Sequence, residues 1–214
     1  MGKAAIAVAT GLVAACAVLP GQTPAAQNLA GEVGFSYDLP SDWTVVEARK
    51  PAANTPTTPA PATPPRKGTA CVQLALTAMH GNPSSVVVVV ALPFNCYGQT
   101  MSAEDLNGFG SGTADGLKAD FDLINPVFGI YSLGSHPVWI ERARGNAKGH
   151  TQPEYTVEIA CTVLRKGAAC WMTLAADKAS LQAFEQSLVT LDGEAAQPLV
   201  PPTAFDKAPP QAPS

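Results

Sequence analysis

The chain has 214 residues, 14% of them charged, and a formal net charge of −4. Its 13 basic residues are scattered among 17 acidic ones with no basic run, which excludes nucleic acid as a natural partner. Three histidines and five cysteines, with no CxxC or HExxH spacing, leave little material for a metal site, and no cofactor is expected.

The first element is a leader. Lys3 precedes an apolar run over residues 4–19 that Pro20 and Gly21 close. The run is short for a bilayer span and is followed by small residues, as in a secretory signal peptide. Thr23 and Ala25 stand three and one before a cut after Ala25, so residues 1–25 are expected to be removed. A rival reading takes Val13-Ala14-Ala15-Cys16 as a lipobox, in which case Cys16 is lipidated and a membrane becomes a partner. The apolar run continues past Cys16, which sets the cysteine inside the hydrophobic segment and favours the cut. Either way the domain faces away from the cytoplasm, periplasmic or secreted in the first case and lipid-anchored in the second.

Next, Phe35, Tyr37 and Leu39 alternate, Pro40 to Asp42 turn the chain, and Trp43 and Val45 open a second strand. The pattern F-x-Y-x-L-P-x-x-W-x-V over residues 35–45 resembles the opening of PsbP-like domains, a family named for an extrinsic subunit of photosystem II. Many exported bacterial proteins belong to it. The order of strands, helix, strands, hairpin and final helix extends the resemblance over residues 32–191. It implies an α+β fold in which an antiparallel sheet is sandwiched between helices, and it carries no catalytic residues. One such domain is expected over residues 32–192. A Pro-rich insertion at 51–67 departs from the compact form of the family; its alternating Ala, Thr and Pro read as an extended, solvated loop. Residues 193–214 have a similar composition and are expected to form a disordered tail.

Residues 71–79 and 84–92 read as a hairpin around His80-Gly81-Asn82-Pro83. Five consecutive valines, Val86 to Val90, lack alternation and predict a central strand covered on both faces. Residues 102–123 read as a helix capped by Ser102 and Asp105, with Leu106, Phe109, Leu117 and Phe121 on one stripe. Gly108, Gly110, Gly112 and Gly116 weaken it by about 1 kcal/mol each relative to Ala. Close packing on the sheet accounts for them better than a phosphate-binding loop, because no P-loop lysine follows. Residues 127–133 and 137–144 supply two more strands.

The last stretch is the most regular. Tyr155, Val157, Ile159, Cys161 and Val163 recur at period two, Arg165-Lys166-Gly167 turn the chain, and a second strand runs through Met172 and Leu174. Asp177 then caps a helix whose stripe is Leu181, Phe184, Leu188 and Leu191.

Few residues suggest chemistry. His136 lies in a Gly-Ser-His-Pro turn, with Glu141 five residues on as an orienting partner if the histidine is a general base. No GxSxG elbow supports that reading, and a turn histidine beside an exposed charged edge is the plainer one. His80 and His150 read as solvated turn residues, and Trp43, Trp139 and Trp171 as packing. The four cysteines beyond the leader predict two bridges in an oxidising compartment. The hairpins select Cys71–Cys96 and Cys161–Cys170, the latter placed symmetrically about the Arg165-Lys166 turn. The function expected is a non-catalytic binding or accessory module of the cell envelope, its partner an envelope protein or a small ligand. The alternative is an extracytoplasmic hydrolase with dispersed residues around His136.

Overall fold

The computed structural model of the protein describes residues 27–28, 32–48, 71–151, 153–201 and 205. The expected leader with Cys16, the insertion at 51–67 and residues 206–214 lie outside the described residues. In chain order the elements begin with β1 (Gln27–Asn28), β2 (Phe35–Asp38), β3 (Thr44–Ala48), β4 (Gln73–His80) and β5 (Ser85–Pro93). The one-turn helix α1 (Phe94–Tyr97) and the longer α2 (Leu106–Leu117) follow. Then come β6 (Phe121–Leu133), β7 (His136–Ala147), β8 (Glu154–Val163), β9 (Gly167–Ala175), α3 (Lys178–Gln186), β10 (Leu188–Leu191) and β11 (Gln197–Pro198).

The fold is α+β and mostly antiparallel sheet. Seven strands pair in the order β3-β4-β5-β9-β8-β7-β6, and a smaller sheet runs β1-β2-β10-β11. One face of the large sheet carries Val87, Val89, Ile140 and Trp171 into a core with Phe35 and Tyr37 of β2, Phe184 of α3, and Val189 and Leu191 of β10. On the opposite face Trp139, Val157 and Ile159 pack against Leu106 and Ala114 of α2. Strand β8 is therefore buried on both sides, and Glu158 and Ala160 are as inaccessible as Val157 and Ile159.

Local chemistry explains the element ends. The Ser102–Asp105 capping box forms, with the Ser102 amide 2.7 Å from the Asp105 carboxylate. Asp177 caps α3 by accepting from the Ser180 amide at 2.7 Å. Both helices are shorter than their apolar spacing suggests. α2 stops at Leu117, and Phe121 and Leu123 belong to β6, where they pair with Ala147 and Gly145. α3 stops at Gln186, where Ser187 turns extended and its hydroxyl donates to the Phe184 carbonyl. Leu188 to Leu191 then pair with β2, burying Val189 and Leu191 and leaving Leu188 exposed. A leucine at i and i+3 satisfies a helix stripe, but residues 188–191 also alternate, and an open strand edge at β2 decides for pairing.

The expected tail boundary at residue 193 is also corrected. β11 pairs with β10, Leu199 and Val200 are buried in the main core, and the Leu199 amide donates to the Ser187 carbonyl at 2.9 Å. Phe205 lies against Tyr131 and over the Arg142 guanidinium, 4.2 Å from its carbon. Pro-rich composition concealed the apolar Leu199-Val200 pair that docks this segment.

Candidate functional site

The valine strand is covered unevenly. Val87 and Val89 are sealed, whereas Val86, Val88 and Val90 are only half buried on the α2 side of the sheet. The reason is the size and position of α2, which crosses β7 and β8. Gly110 sets that position: a methyl group there would overlap the Trp139 indole, so only glycine lets the helix backbone lie this close. Gly108, Gly112 and Gly116 have open space where a side chain would stand, so close packing accounts for one of the four helix glycines.

What α2 leaves uncovered is an apolar half-sheet. Val86 and Val88 lie opposite Leu174 and Met172 of β9 and opposite Met79 and Thr77 of β4, and Val90 lies opposite Leu74, its β9 neighbour Cys170 being buried beneath α2. Opposed residues on antiparallel strands share a face, so these side chains form one surface. Between it and α2 runs a cleft of about 290 Å³, floored by Val90, Leu92 and Met172 and roofed by Phe109, Thr113 and Leu117. Val72, half exposed, stands at its rim. A second chamber of about 60 Å³ continues it over Val86, Val88 and Leu174, and Leu117 and Met172 line both. No charged side chain lines either chamber. The Thr113 hydroxyl is turned away into its own helix, donating to the Phe109 carbonyl at 2.9 Å.

Both disulfides form as the hairpins predict, and both brace this cleft. Cys71–Cys96, with an S–S distance of 2.11 Å, ties the residue before Val72 to α1. Cys161–Cys170, at 2.03 Å, joins β8 to β9 below α2, with Cys170 3.5 Å from the Thr113 hydroxyl.

The polar residues singled out in the sequence lie elsewhere. His136 and Glu141, five apart on β7, point to opposite faces of the sheet, so Glu141 does not orient His136. His136 instead lies 3.8 Å from Asp192 and 3.6 Å from Glu194. The neighbouring Ser135 hydroxyl donates to Glu194, and Asp192 also receives the Arg165 amide at 3.1 Å. The cluster thus fastens the chain after β10 to two hairpin turns. Glu141 is 7% exposed, and burial raises its carboxyl above the usual range against the pull of Lys118.

His80 is more than a solvated turn residue. It stacks on Trp43, reaches Asp42 at 3.2 Å through Nε2 and meets the Ser180 hydroxyl at 3.2 Å through Nδ1. An Asp–His–Ser chain suggests an activated serine, but Ser180 is fully buried and its hydroxyl is also held by Asp177 at 3.1 Å. The chain ties the start of α3 to β4. Trp43, Trp139 and Trp171 are all core residues. Among the described residues no group of three His, Cys, Asp or Glu side chains is placed to hold a metal.

A further carboxylate escaped the sequence reading. Glu158 is fully buried and takes the Arg142 Nε at 2.6 Å, while the other side of the guanidinium binds Glu185. Burial pushes the Glu158 carboxyl up to about 7, with Arg142 opposing the rise. Nothing in the period-two spacing of β8 distinguishes this glutamate from an exposed one; the partner on β7 is sixteen residues away.

Neither a protein-family model nor a curated protein matches the chain. The site therefore rests on its own geometry. Among the described residues the apolar cleft is a concave site whose lining suits binding by exclusion of water.

Proposed function

We propose that this is an exported PsbP-like domain that serves as a non-catalytic binding module of the cell envelope, holding an apolar ligand between α2 and the sheet. The observation that carries the reading is the two-chamber cleft, lined by apolar side chains and by two threonines, Thr113 and Thr173, whose hydroxyls both donate to backbone carbonyls. Burying ligand surface there gains roughly 25 cal/mol per Å² with no desolvated charge to offset it. Two disulfides fit an oxidising compartment, consistent with release after Ala25 or tethering at Cys16. Among the described residues no helix is long and apolar enough to cross a membrane. The family reading rests on the sequence pattern over residues 35–45 and on the sequence order of strands and helices.

Native mass spectrometry of the protein released from its own envelope tests the proposal. The expected spectrum shows the chain with an apolar molecule bound, and the same preparation of Val90→Trp, folded by circular dichroism, shows the chain alone. Equal occupancy in both proteins, or bare protein in the first, would remove the cleft from the account.

A further inference from the structure

The two chambers meet at a pair of side chains. Leu117, at the last position of α2, and Met172, at the middle of β9, line both the 290 Å³ chamber and the 60 Å³ chamber. They come from opposite walls, helix above and strand below, so any molecule occupying both chambers passes between them. We propose that the cleft takes one unbranched alkyl chain and that Leu117 and Met172 set the longest chain it accepts; this rests on the reading of the cleft given above.

The occupant follows from shape and charge. With no charged side chain in either chamber, the part of the ligand held there is uncharged. The floor is a line along one strand: Leu92 and Val90 in the first chamber, Val88 and Val86 in the second. Alternate residues of a strand are about 6.6 Å apart, so this line is about 20 Å long, a track for a chain rather than a chamber for a fused ring. A dry apolar cavity of about 150 Å³ holds a benzene ring, so the first chamber holds about twelve carbons. By the same scale the second adds about two or three. Methionine is an apt divider, because its unbranched side chain has three rotatable bonds and yields more readily than a β-branched residue.

Isothermal titration of the intact, disulfide-bonded protein with octanol, decanol, dodecanol, tetradecanol and hexadecanol reads the limit directly. Each buried methylene strengthens binding about fourfold, so the dissociation constant should fall steadily and then level off near tetradecanol. Met172→Ala opens the passage and moves the levelling to hexadecanol or beyond. Val88→Phe fills the second chamber and moves it back to dodecanol. The two variants act in opposite directions on half-buried side chains, so a folding failure in one leaves the other to decide. Levelling at the same chain length in all folded proteins overturns the roles of Leu117 and Met172 while leaving the cleft as a binding site. No saturable binding of any alkanol to the unmodified protein overturns both.

Discussion

Glu158 shows how a single residue imposes a pH dependence on this fold. In the unfolded chain its carboxyl titrates at its ordinary value of 4.5, and in the folded protein burial moves it up to about 7. The folded state therefore holds the proton more tightly, and the stability this provides is complete below about pH 4.5 and lost as the pH rises through about 7. The size of the effect is about 2–4 kcal/mol, reduced by however far Arg142 and Glu185 adjust. Glu158→Gln cannot titrate, so the stability of the unmodified protein relative to this variant should fall between about pH 5 and about pH 8 in urea unfolding. Parallel pH profiles would show that the carboxyl stays ionised beside Arg142. Glu141, raised by burial too, adds to the same trend on the other face of the sheet. Neither carboxylate was legible in the sequence as buried, because alternation assigns a side chain to a face and leaves open whether another layer covers that face.

Elements were easier to read than their ends. The cap residues Ser102, Asp105 and Asp177 act where the sequence places them, because a cap is decided by bonds within four residues. The ends of α2 and α3 depend on distant strands, and there the helix spacing ran on too far. Contact with a distant strand also separates two substitutions in α2. Gly110→Ala forces a methyl group into Trp139 and should cost about 1–3 kcal/mol, whereas Gly112→Ala meets open space and should stabilise by up to about 1 kcal/mol. Chemical denaturation of the two proteins side by side checks the contrast, and a shared sign would mean that α2 does not lie this close to β7. The segment after β10 gives a further test. Leu199 is fully buried, so Leu199→Ala should destabilise by about 2–5 kcal/mol; a change within the error of urea unfolding would return this segment to the tail the composition suggests.

At the scale of the molecule, the sequence revealed a sheet, its hairpins and two bridges, while the cleft escaped it. Cys71–Cys96 and Cys161–Cys170 were legible because hairpin symmetry brings their positions together regardless of what covers the sheet. Removing the first with Cys71→Ser and Cys96→Ser should cost about 3 kcal/mol and loosen the rim at Val72. The cleft depends on how much of the valine strand a twelve-residue helix leaves bare, which no local pattern contains. The proposed export joins the two scales, since two bridges of this kind persist in an oxidising compartment rather than in the reducing cytoplasm. N-terminal sequencing of the mature protein from its host should begin at Ala26, and a retained Met1 or Gly2 would contradict export. The central claim is that the apolar cleft, and not the His136 cluster, receives the ligand. Methyl-resolved NMR of the intact protein titrated with dodecanol tests it most directly. The account predicts saturable shifts at Val90, Leu92, Leu117 and Met172 with the signals around His136 and Asp192 unmoved; no saturable shifts, or shifts centred on His136, would contradict it.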